Sequence, residues 1–368
     1  MLFAPTPTTS LSSFHGTKNY LVVQSLEDVR GRLVIWQWNN NASGTWSEEG
    51  EYAHADAPAA LEEGAPPQEP GLTSVSLWGD DSDFTDDCWL TSSGFTTPTS
   101  LYYTSIPQLL AGGKSPAGSV VKSLPHQFDS ARFRVTQHFA TSADGTKIPY
   151  FQVAPWSMQL DSSNATLLWG CVIVCCPRAA QGCTPCVLRG LILRTYAQTL
   201  HVFSSLLPLS LSLSRLFLFP IILRYGGFEI TYRPSYPASR GKAWLERGGV
   251  FVLASIRGGG EYGPAWHQAA LKENRHKCCE DMEAVATHLL QRGVTRSSRL
   301  GIQGGSNGGL LMGNLLLRRP KLWSAVVCQV RDNERERERE KKRARQPASS
   351  LPTSLPPLPM TYTWITLK

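Results

Sequence analysis

One hexapeptide constrains the fold of this chain more than any other stretch: Gly304-Gly305-Ser306-Asn307-Gly308-Gly309. It contains G-x-S-x-G, follows the short apolar run 300–303 and precedes a helical pattern that starts at Asn307. Strand, tight turn and helix in that order form the context of a nucleophile elbow. The glycines remove Cβ atoms that would strike the neighbouring strand and helix, and they let the serine backbone take a strained conformation. The Ser306 hydroxyl then projects above a sheet, and the free N–H groups at the helix start face a developing oxyanion. The bland alternatives are a plain Gly-rich turn or a phosphate-binding loop without its lysine.

The surroundings suit a parallel α/β sheet. Residues 249–256 are an apolar run of strand length. Over 278–292, Met282, Val285, Ala286, Leu289 and Leu290 share one helical face, with Gly293 as a C-terminal stop. A strand over 300–303, a helix over 307–317 and a strand over 323–330 complete an alternation typical of a parallel sheet. The chain before it reads as β-rich. Runs at 20–24, 32–37, 72–78, 88–92 and 100–104 are separated by turn residues, as in a sandwich, barrel or propeller. Residues 48–70 are acidic and rich in Ala and Pro, and read as a loop or insertion. Segments 132–139 and 147–153 flank Asp144-Gly145 as a hairpin.

Composition narrows the class. The 368 residues suffice for two domains, and 11 Trp, 11 Tyr and 13 Phe exclude disorder throughout. The net charge of +7 is partly concentrated in the Glu-Arg run 331–345, so a nucleic-acid-binding body is not indicated. The N-terminal sequence lacks the pattern of a secretory signal, which predicts a reducing, cytoplasmic setting, with Asn41-Ala-Ser and Asn164-Ala-Thr as chance triplets. Five of the nine cysteines fall within 171–186, but their spacing fits no structural zinc motif, so no metal or cofactor is expected. The apolar stretch 202–223 has the length of a membrane span. Arg215, Pro208 and Pro220 argue against one, and no membrane partner is expected.

Longer motifs carry a resemblance. Tyr225-Gly-Gly-Phe-Glu-Ile, Ser255-Ile-Arg-Gly-Gly-Gly-Glu-Tyr-Gly-Pro-Ala-Trp-His and the GGSNGG hexapeptide resemble the prolyl oligopeptidase family of serine peptidases. Ser76-Leu-Trp-Gly, Gly94-Phe-Thr-Thr-Pro-Thr-Ser-Leu-Tyr and His138-Phe-Ala-Thr-Ser-Ala-Asp-Gly-Thr-Lys-Ile-Pro-Tyr-Phe extend it over about residues 15–170 and 225–330. The resemblance implies a partial β-propeller (1–125) and a partial, mostly parallel α/β-hydrolase domain (126–330). It implies hydrolysis of short proline-containing peptides through an acyl-enzyme, by a monomer. Ser306 matches the nucleophile. The Asn307 N–H and the Tyr225 hydroxyl match the oxyanion donors, and Phe228 and Asn307 match substrate-binding positions. Residues 257–262 match a structural loop. An acyl-peptide hydrolase or esterase on the same fold is an alternative, and so is a non-catalytic propeller-type interaction protein.

Two departures from the family pattern stand out. An α/β hydrolase supplies its triad in the order Ser, Asp, His. None of the eight histidines follows Ser306, so the Asp and His of the triad are expected to be absent and the chain weakly active or inactive. His267 and His276 lie in the upstream helical region, and Asp332 lies in a Glu-Arg, then Pro/Ser/Leu-rich, low-complexity tail, 331–368. The second departure is the insert 171–224, which separates a family-like strand from Tyr225. Both segments begin abruptly and have biased composition, as translated non-coding sequence would.

Overall fold

The computed structural model describes residues 2–39, 44–52, 72–112, 119–170, 231–329 and 362–366. All belong to one compact unit, made of Met1–Val174, Gly227–Pro352 and Pro359–Lys368. A second unit, Cys175–Gly226 with Thr353–Leu358, lies outside the described residues. The insert 171–224, its cysteines and its apolar stretch 202–223 therefore lie outside them too. Among the described residues no helix is long and apolar enough to cross a membrane.

Two antiparallel four-stranded meanders come first. The strands β1 (Thr9–Gly16), β2 (Tyr20–Glu27), β3 (Arg30–Asn39) and β4 (Thr45–Tyr52) pair in chain order. So do β5 (Ser74–Gly79), β6 (Asp87–Ser93), β7 (Ser100–Ser105) and β8 (Ser119–Ser123), with helix α1 (Ile106–Gly112) between the last two. A shared core joins them: Val22, Leu33 and Ile35 from the first sheet, Val75, Leu77 and Leu90 from the second, Ile106 and Leu109 from the helix. The loop expected over 48–70 is corrected at its start, because β4 runs to Tyr52, which pairs with Leu33. Its polar sequence hid the strand: the pairing is supplied by β3 and by the Trp38–Trp46 edge contact at 5.3 Å.

The β2–β3 turn is strained in a telling way. Asp28 and Val29 both have positive φ, 48° and 67°, as a two-residue turn of the twist-matching kind requires. Asp tolerates this region, whereas a β-branched residue rarely enters it. Val29 is compensated by burial. It packs in one cluster with Leu72, Phe95, Phe133 and Phe151, on a face of the α/β sheet. Asp28 Oδ1 accepts from the Tyr262 hydroxyl at 3.0 Å and its carbonyl accepts from Gln137 Nε2 at 2.6 Å.

The α/β sheet has seven strands in the order β15-β14-β13-β11-β12-β10-β9. Its antiparallel edge is the hairpin β9 (Phe133–Thr141) and β10 (Lys147–Pro155), turned at Gly145 with φ 84°. Strands β11 (Thr166–Trp169), β12 (Val250–Ala254), β13 (Leu300–Gly305) and β14 (Ala325–Gln329) are mutually parallel. Strand β12 follows β11 on one side and β13 lies on the other, a reversal of strand order that opens a crevice at the carboxyl ends. Helices α2 (Ala238–Ala243), α3 (Pro264–Gln268), α4 (His276–Gln291) and α5 (Asn307–Arg318) complete the unit. Leu289, Val285 and Met282 of α4, with Leu311, Met312 and Leu315 of α5, bury one sheet face over Val252 and Ile302. The apolar face expected on 278–292 is thus the buried one, and Gly293 (φ 70°) ends the helix as expected.

Strand β15 (Tyr362–Thr366) pairs antiparallel with β14, from Gln329↔Tyr362 to Ala325↔Thr366. It lies inside the segment read as a low-complexity tail, 331–368. Its β-branched and aromatic residues suit a strand, and β14 offers it an unpaired edge. Residues 330–361 lie outside the described residues.

Candidate active site

The elbow forms where strand β13 meets helix α5. Ser306 sits between them with φ 53° and ψ −117°, a conformation seldom taken by a residue with a side chain. Three bonds hold it there. Its N–H donates to the Gln329 carbonyl on β14 at 2.7 Å, and its own carbonyl accepts from Gly309 at 2.9 Å and Leu310 at 3.3 Å. Strain of this kind persists only where the surroundings over-determine it. Gly304 is obligatory, because a Cβ there would lie 2.5 Å from the Gly308 carbonyl oxygen and 2.9 Å from that of Gly170. Ser306 itself is exposed, and the helix behind it begins with free N–H groups.

Asn307, the first residue of the helix, is half-buried, and its Oδ1 accepts from Arg275 Nη2 at 2.6 Å. Of the other expected site residues, Tyr225 and Phe228 lie outside the described residues. His267 is buried, and its Nδ1 donates to the Gly258 carbonyl at 2.6 Å, so it braces the glycine loop. His276 is exposed, with Nδ1 at 3.0 Å from the Glu273 carbonyl. Among the described residues nothing hydrogen-bonds to the Ser306 hydroxyl.

The loop 257–262, matched to a structural role in the sequence, carries two buried charged groups. Arg257 is the hub of the first. Its backbone N–H and Nε donate to Asp281 Oδ2 at 3.0 and 2.9 Å, and its Nη2 to Asp281 Oδ1 at 2.6 Å. Its Nη1 reaches Asp144 Oδ2 at 2.5 Å and Thr146 Oγ1 at 3.2 Å, and Nη2 also reaches Ser142 Oγ. Loop, hairpin turn and helix α4 are thereby tied together. The guanidinium holds the Asp144 carboxyl below the ordinary carboxylate range. Burial alone would lower the Arg257 value, but the bonds to Asp281 and Asp144 outweigh it and raise the value.

Glu261 is the second buried group, 1% exposed. Its Oε1 accepts from the Tyr232 N–H at 3.0 Å, and its backbone carbonyl accepts from Ser10 Oγ on β1 at 3.0 Å. Its Oε2 has no partner among the described residues. It presses on Gly259, where any side chain would collide with it. Burial raises its pKa from 4.5 to about 7, partly offset by the Tyr232 N–H. Because the folded value is the higher one, the unfolded chain releases this proton first as pH rises. The contribution to stability is therefore lost between about pH 4.5 and 7 and stays lost above that. Glu261→Gln should remove this slope and be the more stable protein at pH 8, by about 3 kcal/mol. Urea unfolding at pH 5 and pH 8 reads it, and parallel shifts of both proteins would refute it.

Comparison with known proteins agrees with this geometry. Residues 236–331 match the profile of the prolyl oligopeptidase family. Over these residues the chain carries a prolyl oligopeptidase family domain. It is 34% identical over 330 residues to an uncharacterized peptidase of Sinorhizobium fredii, covering 90% of this chain and 34% of that relative. It is 46% identical over 107 residues to the prolyl endopeptidase of Dictyostelium discoideum, covering 29% of this chain and 14% of the relative. In fold it is similar to a post-proline cleaving enzyme from Rickettsia typhi, with TM-score 0.60 and 24% identity over 89% of this chain and 36% of that one. The chain therefore spans about a third, or less, of the length of these relatives. The two meanders stand as partial propeller and the seven-stranded sheet as the α/β-hydrolase part of that fold.

Sequence reasoning named Ser306 and Asn307 as candidates but not Arg275, Asp281 or Glu261. Arg275 and Asn307 are 32 residues apart, and Arg257 and Asp281 are 24 apart. Glu261 was visible only as one acidic residue in a glycine-rich motif.

Proposed function

We propose that this chain is built as a serine peptidase of prolyl-oligopeptidase type, with Ser306 as its nucleophile. The observation that carries the reading is the strained Ser306 backbone, locked by the Gln329 carbonyl and by the close approach of Gly304 to Gly308. In the reaction, Ser306 Oγ attacks the carbonyl carbon of the residue before the scissile bond, and its proton passes to a base. The N–H of Asn307 and the hydroxyl of Tyr225 stabilise the oxyanion. Collapse of the tetrahedral adduct releases the amine and leaves an acyl-Ser306 ester, which water then cleaves.

The substrate we assign is a short peptide cut after proline, with the Phe228 ring against the flat pyrrolidine. Relatives named prolyl endopeptidase support that assignment. As it stands, the sequence offers no histidine after Ser306, so we assign the chain weak activity or none, as a monomer in the cytoplasm. In any active form of the protein a fluorophosphonate probe should attach to Ser306 alone, and without a base the same adduct should form slowly; it should be absent from Ser306→Ala. An adduct that survives this substitution would overturn the assignment of the nucleophile.

A further inference from the structure

The Asn307 side chain is fixed at one end and, among the described residues, unpartnered at the other. Arg275 Nη2 donates to Asn307 Oδ1 at 2.6 Å. A guanidinium only donates, so this contact decides which end of the amide is oxygen and turns the NH2 group the opposite way. That Nδ2 is buried and has no acceptor among the described residues. A buried donor without a partner is costly, and native proteins keep such groups where a ligand supplies the acceptor.

Arg275 is itself well placed to hold the amide. It immediately precedes helix α4, and its carbonyl accepts from Cys278 Sγ at 2.8 Å. The same helix is anchored through Asp281 to Arg257. Asn307 directly follows Ser306, so its amide lies beside the proposed nucleophile. A bond to a charged donor also polarises the amide and strengthens its remaining N–H donors.

We propose that Arg275 is a positioning residue, which holds the Asn307 side chain so that its Nδ2–H donates to a backbone carbonyl of a peptide lying across Ser306. This rests on the reading of Ser306 as nucleophile and deepens it. Asn307 would serve twice, its main-chain N–H facing the reacting carbonyl and its side chain a neighbouring one. A ligand with a second backbone carbonyl, a peptide rather than a simple ester, satisfies both.

The test uses ¹⁵N-labelled full-length chain titrated with acetyl-Gly-Pro amide. The Asn307 side-chain NH2 signals are assigned by their loss in Asn307→Leu. The peptide should move one of these protons downfield. Arg275→Met should abolish that shift and weaken Kd about tenfold, and Arg275→Lys, which keeps a cationic donor, should restore most of both. Asn307→Leu should weaken binding by the same factor with Arg275 intact, which covers the case of a misfolded Arg275 variant. Unchanged Kd in folded Arg275→Met, or a peptide that leaves the Asn307 signals unmoved, whether or not it binds, would overturn the proposal. Ser306→Ala should bind like the parent, so a fluorophosphonate adduct at another residue would sink the nucleophile assignment without touching this result.

Discussion

Purified full-length chain is expected to hydrolyse a Gly-Pro-linked chromogenic peptide no faster than buffer does. Acyl transfer through serine needs a base within about 2.6–3.2 Å of the hydroxyl and a group to orient that base. The two upstream candidates, His267 and His276, are engaged elsewhere. His267 is buried against the Gly258 carbonyl, and His276 lies exposed beside the Glu273 carbonyl. Loss of the base from a working triad lowers turnover by about a million-fold, leaving ~10³–10⁴ over water from oxyanion stabilisation and binding. A continuous assay at micromolar chain reads the difference. Robust hydrolysis that disappears in Ser306→Ala would show that an upstream histidine swings into reach, with His267 and His276 the first to replace.

Asp281→Ala should be among the most damaging single substitutions to stability. Asp281 is fully buried and takes four bonds from Arg257, whose side chain is only 4% exposed. Removing the carboxylate leaves a guanidinium in the interior with Asp144, itself 37% exposed, as its remaining ionic partner. Breaking a buried pair in this way costs about 3–5 kcal/mol. Typical domains have ~5–15 kcal/mol in total, so the variant should unfold at much lower urea. Ser142 Oγ also loses its acceptor, which adds to the cost. The damage should reach the elbow, because Arg275 adjoins the helix that Asp281 anchors. A loss below about 1 kcal/mol would mean that water enters and screens Arg257, and that the network does not hold this corner.

What could be read from the sequence follows a physical divide. The elbow was legible because glycine spacing, a short apolar strand and a helical pattern lie within some twenty residues. Helix α4 was legible for the same reason, since its apolar face repeats locally. The Asp144-Gly145 hairpin needed only its turn. Strands β1, β4 and β8 were missed because they are half-exposed or exposed and carry Ser, Glu and Lys where a strand pattern would show apolar residues. Their hydrogen bonds come from a neighbouring strand, which no local pattern records. Strand β15 was hidden by the Pro/Ser/Leu-rich composition before it. Val29 is the sharpest case. A valine in a two-residue turn reads as an error until its burial among Phe95, Phe133 and Phe151 is seen. The Arg257–Asp281 and Arg275–Asn307 pairs join distant segments, and nothing in either segment announces the other.

Ser306 as the nucleophile of a peptidase that recognises proline is tested most directly by competition for covalent labelling. Full-length chain is sampled over a long time course with a fluorophosphonate, with and without a peptidyl-prolinal or a peptidyl-argininal, and the adduct is mapped and its rate of formation read by mass spectrometry. A single adduct on Ser306 is expected, slowed by the prolinal and unaffected by the argininal. An adduct elsewhere, or protection of Ser306 by the argininal alone, would contradict the assignment.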